Sequence, residues 1–178
     1  MACPKFLNYL WLFIALTLLL SISACTKTYE VENFTFTAPF QYKTTIYNPP
    51  QFNSTTNSEV LLLSNVSHYP FFLINRQKIP LDSNLETVFA DYKLRISQKL
   101  PHYQFMSENA IMMNNRKAIE YLHCEYLGEP YVQSREIWME YEGWAYSLVC
   151  VHSGNGPSCE LISLSDKCVF FFENLKFK

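Results

Sequence analysis

The chain has 178 residues, with 14 Lys and Arg against 16 Asp and Glu for a net charge of −2. That balance excludes the basic footprint of a nucleic-acid-binding protein. Aromatic residues are abundant (14 Phe, 12 Tyr and 3 Trp), whereas the only glycines are Gly128, Gly143, Gly154 and Gly156, scattered between periodic segments, which excludes a glycine-rich phosphate loop or dinucleotide fingerprint.

Residues 1–24 carry one charge, Lys5, then an apolar run from Leu10 to Leu20, then the small-residue exit Ser21-Ile22-Ser23-Ala24. That order is the pattern of a secretory signal peptide. An uncleaved membrane helix over Phe6–Ala24 is the alternative, but Asn8 interrupts it and a span needs roughly 20 apolar residues. The exit Ile22-Ser23-Ala24-Cys25 resembles the lipobox of bacterial lipoproteins. The resemblance implies that Cys25 is acylated, begins the mature chain and joins it to a membrane. Several acyl chains suffice for stable attachment, since each buried methylene contributes about 0.8 kcal/mol. Thr26, standing where Asp does not, implies sorting to the outer membrane with the domain facing the periplasm.

Removing the signal leaves 154 residues with 13 basic and 16 acidic side chains, a net of −3, and enough chain for one domain with its own core. Residues 25–32 are expected to be a lipidated tether of at most about 25 Å for its seven residues after the cysteine, and residues 33–178 a single domain. Asn33–Thr37 alternates as a first strand stopped by Pro39. Residues 46–58 are rich in Pro, Asn and Ser and read as a loop. Val60–Ser64 and Pro70–Asn75 read as two apolar strands.

Ser83-Asn84-Leu85-Glu86 has the form of a capping box, and Leu85, Val88, Phe89, Tyr92 and Ile96 recur at helical spacing up to Pro101. A helix here is expected to lie on a sheet with Asp91, Lys93 and Arg95 in water. Ala110–Met113 and Lys117–Tyr126 flank Asn114-Asn115-Arg116, and Arg135–Tyr141 and Ala145–Val151 flank Glu142-Gly143-Trp144. Two hairpins of this kind make an antiparallel meander. Cys168, Phe171, Phe172 and Leu175 fit a helical face, so a short helix to Glu173 and a terminal strand are expected.

Three segments in the second half, Asn115–Tyr121, Gly143–Cys150 and Phe172–Phe177, resemble the PsbP-like and DcrB-like superfamily in content and order. Near the start, Pro39-Phe40-Gln41-Tyr42 stands where that family usually has Pro followed by Gly-Trp. The resemblance covers Asn33–Lys178 and implies an α+β fold, an antiparallel β-sheet meander flanked by helices as an α/β/α sandwich. It implies binding or stabilisation of a protein partner and transfers no catalytic residue and no cofactor.

Four cysteines remain after Cys25. An even number in an exported chain points to two disulfides among Cys124, Cys150, Cys159 and Cys168, with three connectivities open. A Cys150–Cys159 clip would leave Cys124 to Cys168. A metal or thiol site is the competing use, because Cys150 and His152 share a strand face, but the spacings match no compact zinc motif and no metal is expected. His123 and Cys124, adjacent on a strand, point to opposite faces and make no nucleophile–base pair. Glu120, Glu125, Glu136 and Glu140 alternate with apolar residues, the pattern of a solvated strand face. Tyr126, Tyr131, Trp138, Tyr141, Trp144 and Tyr146 crowd the meander, either as core and cross-strand pairs or as an exposed binding face. The sequons at Asn33, Asn53 and Asn65 read as chance beside a lipobox.

The leading expectation is a non-enzymatic, membrane-anchored envelope lipoprotein binding a protein partner and no nucleic acid. The alternatives are a small-ligand carrier with an aromatic cleft between helix 83–100 and the sheet, and an envelope hydrolase or metal-dependent enzyme with residues the sequence does not single out.

Overall fold

The computed structural model describes residues 26–31, 33–39, 42–46, 58–64, 70–100, 102–126, 131–153 and 166–178. The signal segment 1–24, Cys25, Cys159, most of the 46–58 loop and the sequons at Asn53 and Asn65 lie outside them.

Among the described residues, ten strands and two helices follow one another as β1 (Thr26–Val31), β2 (Phe34–Pro39), β3 (Lys43–Ile46), β4 (Ser58–Ser64), β5 (Phe71–Lys78), α1 (Leu85–Lys99), β6 (Gln104–Met113), β7 (Arg116–Tyr126), β8 (Tyr131–Tyr141), β9 (Trp144–Ser153), α2 (Asp166–Glu173) and β10 (Leu175–Phe177). Seven strands form an antiparallel sheet in the order β3-β4-β5-β9-β8-β7-β6, and β1-β2-β10 form a second. The meander is the expected one, β6 through β9. Its β6–β7 and β8–β9 turns are tight because Asn114 and Asn115, and Glu142 and Gly143, all have positive φ, the backbone that two-residue type I′ hairpins require.

The small sheet differs from the expectation at its edge strand. Residues 26–31, expected as a tether, are a strand that pairs with β2 from Thr26 opposite Pro39 to Val31 opposite Phe34. β10 pairs on the other side of β2, with Phe177 opposite Phe34. β2 alone has the alternation of a half-buried strand, with Phe34, Phe36 and Ala38 buried; β1 is exposed over most of its length and owes its conformation to β2's ladder.

The core lies between the two sheets. Phe34, Phe36 and Ala38 pack with Phe72, Ile74, Ile137, Met139, Tyr146, Leu148 and Cys150 of the large sheet and with Cys168, Phe171, Phe172 and Leu175. On the opposite face α1 lays Leu85, Val88 and Phe89 over Tyr121, Trp138 and Ala145, with Tyr92 and Ile96 partly buried beside them. The helix and its apolar stripe are therefore the expected ones. Its cap is not: Asn84, not Ser83, is the N-cap, accepting from the Thr87 amide at 2.9 Å and its hydroxyl at 2.8 Å. The architecture is mostly β. One face of the large sheet carries a helix as an α/β/α sandwich would, but the other is covered chiefly by a second sheet, to which α2 is an addition beside β2. Among the described residues no helix is long and apolar enough to cross a membrane.

Candidate functional site

Side chains alternate along a strand, so the register sorts the expected site residues by face. Tyr121 opposes Glu136, His123 opposes Ser134 and Ile119 opposes Trp138; all these face α1. Tyr141 and Tyr146 face the small sheet, where both are buried, as Trp138 is under α1. The six aromatic residues therefore do not share one binding face. Trp144 is half-buried at the hairpin end, Tyr131 is partly exposed at the start of β8, and the side chain of Tyr126 lies outside the described residues.

Of the three open connectivities, the one with a Cys150–Cys159 clip is not formed. Cys150 is bonded to Cys168, tying β9 to α2 and closing a loop 18 residues apart in sequence. Cys124 is disulfide-bonded as well. His152 is buried with Nε2 lacking a hydrogen-bond partner, and burial lowers its pKa below the ordinary value of 6.5.

Glu136, expected in solvent, is 2% exposed. Its Oε1 accepts from the Tyr92 hydroxyl at 2.5 Å and lies 3.0 Å from His123 Nε2, and its Oε2 accepts from Trp138 Nε1 at 2.6 Å. A carboxylate accepts only, so Nε2 carries the shared hydrogen. Around this centre Tyr121 and Tyr103 join their hydroxyls in a hydrogen bond, and the His123 ring lies 5.2 Å from that of Tyr121 and 5.7 Å from that of Tyr103. Burial, reinforced by the Glu136 charge, raises the Tyr92 pKa far above its normal range; burial and the Tyr103 hydroxyl do the same for Tyr121. Burial also raises Glu125, whose Oε2 is buried without a hydrogen-bond partner, against a smaller lowering by His123. The signal for an inward carboxylate was present: Glu120 and Glu125 are five apart on one strand, so they cannot share a face. Glu120 lies on the other face, bonded by Arg135 Nε at 2.7 Å, and Glu140 is exposed.

This cluster lies between helix and sheet, where the carrier alternative would have its ligand cleft. Phe89 stands 5.6 Å and Tyr92 4.6 Å from the Trp138 ring. With Glu136 and His123 both nearly sealed, the arrangement ties helix to sheet. A shallow depression of about 270 Å³ lies outside it, lined by Gln77, Asp91, Leu94 and Arg95.

The second arrangement is at the hairpin end, where exposed cations stand over half-buried Trp144 and buried Tyr141. Lys78 opposes Trp144 and Trp144 opposes Tyr141. The Lys78 ammonium stands 5.1 Å and the Arg76 guanidinium 4.6 Å from the Trp144 ring centre, and the Arg116 guanidinium 4.8 Å from that of Tyr141. A row of cation, aromatic, aromatic and cation thus crosses β5, β9, β8 and β7. Lys78 and Arg116 are exposed, and among the described residues neither forms a salt bridge. Stacking on a ring fixes a cation's position while leaving its N–H groups available to a carboxylate.

No protein-family model matches the chain, and no curated protein does. Solved structures do. The solution structure of cyanobacterial PsbP (CyanoP) from Synechocystis sp. PCC 6803 is similar at TM-score 0.64 and 9% identity over 87% of this chain and 94% of that one. A protein from Bacteroides thetaiotaomicron VPI-5482 is similar at TM-score 0.53 and 10% identity over 86% of this chain and 49% of that one. At such identities the likeness concerns the backbone alone: the chain has a PsbP-like fold.

Proposed function

We propose that this protein is a non-enzymatic, lipid-anchored protein of the bacterial envelope, held in the outer membrane through acylated Cys25, that binds a protein partner from the periplasmic side. The observation that carries the reading is the hairpin-end row Lys78–Trp144–Tyr141–Arg116, in which exposed Lys78 and Arg116 and half-buried Trp144 are the contact residues, of the cationic and aromatic kinds that suit protein interfaces, and buried Tyr141 holds Arg116 in place. Its position agrees with an anchor at Cys25. β1 starts at Thr26 opposite Pro39 and reaches Val31 opposite Phe34, and Phe34 packs on Tyr146 and Phe177 at the hairpin end. At about 3.3 Å per residue, Thr26 is roughly 17 Å from that end. A lipid on the preceding residue would hold the row away from the membrane, toward a partner in the periplasm.

Two measurements test this. The intact mass of the membrane-extracted protein should match residues 25–178 plus acyl chains; a full-length mass removes the lipid anchor. A photo-crosslinking side chain at Trp144 should trap a discrete protein in cells, and the Lys78→Glu/Arg116→Glu pair should abolish the product. A product unchanged by the pair removes the row as the docking surface.

A further inference from the structure

The large sheet ends in β6, which among the described strands has a neighbour only in β7. An edge strand leaves a row of backbone N–H and C=O groups open to a further strand, and proteins usually blunt such edges with Lys, Pro or short length. β6 has ten residues, Gln-Phe-Met-Ser-Glu-Asn-Ala-Ile-Met-Met, with neither Lys nor Pro. Its one charge, Glu108, is held by Lys93 Nζ at 2.6 Å. Its one blunting device is a bulge between Phe105 and Ser107. Phe105 is 56% and Met112 66% exposed, large apolar side chains left largely in solvent.

We propose that β6 pairs antiparallel with β6 of a second copy of this chain, about a two-fold axis at Asn109. The self-complementarity of the strand selects this occupant and this register. Directly opposed residues share a face, so the axis must pass through a residue. The bulge shifts the alternation by one: Phe105 opposes His123 and Met112 opposes Lys117, which puts both exposed side chains on the α1 face. With Asn109 on the axis, Glu108 meets Ala110 of the second copy, Ser107 meets its Ile111, and Phe105 meets its Met112. An axis at Glu108 sets two carboxylates against each other. An axis at Ala110 carries Phe105 past the end of the opposing strand. Only the Asn109 register covers both exposed apolar side chains, twice by symmetry, and opposes no like charges. α1 packs on β8, two strands in from this edge, and reaches β6 through Lys93 on Glu108. The pairing is isologous, so each copy consumes the other's edge and assembly closes at two.

This inference stands independently of the anchor and of the hairpin-end row. The test uses the full chain extracted in mild detergent. Sedimentation should give twice the protomer mass, and Phe105→Lys/Met112→Lys, which opposes lysines across the pair, should weaken association at least on the order of tenfold with an unchanged circular dichroism spectrum. Asn109→Cys should oxidise to a covalent dimer, because only the axial residue faces itself, and Glu108→Cys should not. A monomeric wild type, a dimer indifferent to the lysine pair, open-ended assemblies, or equal crosslinking at both positions would each overturn the proposal.

Discussion

The Tyr92 hydroxyl on α1 donates to Glu136 Oε1 on β8 across 2.5 Å, over a sequence separation of 44 residues. It is the polar tie between helix and sheet inside an otherwise aromatic contact, and Glu136 also receives His123 and Trp138.

Removing the acceptor therefore strands three donors, the His123 and Trp138 ring N–H groups being buried and the Tyr92 hydroxyl partly so. Glu136→Ala is expected to cost about 3–5 kcal/mol, at about 1–3 kcal/mol for each donor left unsatisfied. Tyr92→Phe removes one donor and leaves the others, and should cost about 1–2 kcal/mol. Urea unfolding checks both: the midpoint should fall with an unchanged slope. If Glu136→Ala proves no worse than Tyr92→Phe, the carboxylate is not the hub.

The Cys150–Cys168 bond closes an 18-residue separation between β9 and α2. Constraint of the unfolded chain over such a loop contributes about 3 kcal/mol. A Cys150→Ala/Cys168→Ala protein should melt about 6–12 °C lower for a domain of this size. Peptide mapping without reduction should recover the two cysteines joined in the wild type.

Buried His152 makes stability depend on pH in a stated direction. Its folded pKa is depressed by burial below 6.5, so as pH falls below about 6.5 the unfolded chain takes up the proton first. Stability is full above that pH and declines below it, by at most about 1.4 kcal/mol per pH unit for one proton. Glu125 acts oppositely, since its raised folded pKa favours the folded state as pH falls toward 4.5. Comparing wild type with His152→Gln between pH 7.5 and 5.5 isolates the histidine: the variant's profile should be flatter. Parallel profiles would remove His152 as the source.

Glu142 occupies the first central position of the β8–β9 turn at φ 51°, followed by Gly143 at φ 74°. Asn tolerates this left-handed backbone better than Glu, and Asn-Gly is the favoured type I′ pair. Glu142→Asn should stabilise the protein by about 0.5–1 kcal/mol, read as a higher urea midpoint.

What the sequence determined by itself is what neighbouring residues decide. The hairpins at Asn114-Asn115 and Glu142-Gly143, the 85–99 helix with its stripe, and the helix-then-strand ending all follow from local spacing, because turn geometry and side-chain periodicity act within a few residues. Tertiary structure decided what depends on distant partners. β1 is a strand only because β2 offers it a ladder, and β5 sits beside β9 across some seventy residues. Cys150 takes Cys168 because α2 is brought to the small sheet, a choice cysteine spacing leaves open. Glu136 reads as one more polar position in an alternating strand, yet α1 covers that stretch of sheet and closes over it. Alternation assigns a residue to a face; what covers that face is settled by the rest of the chain.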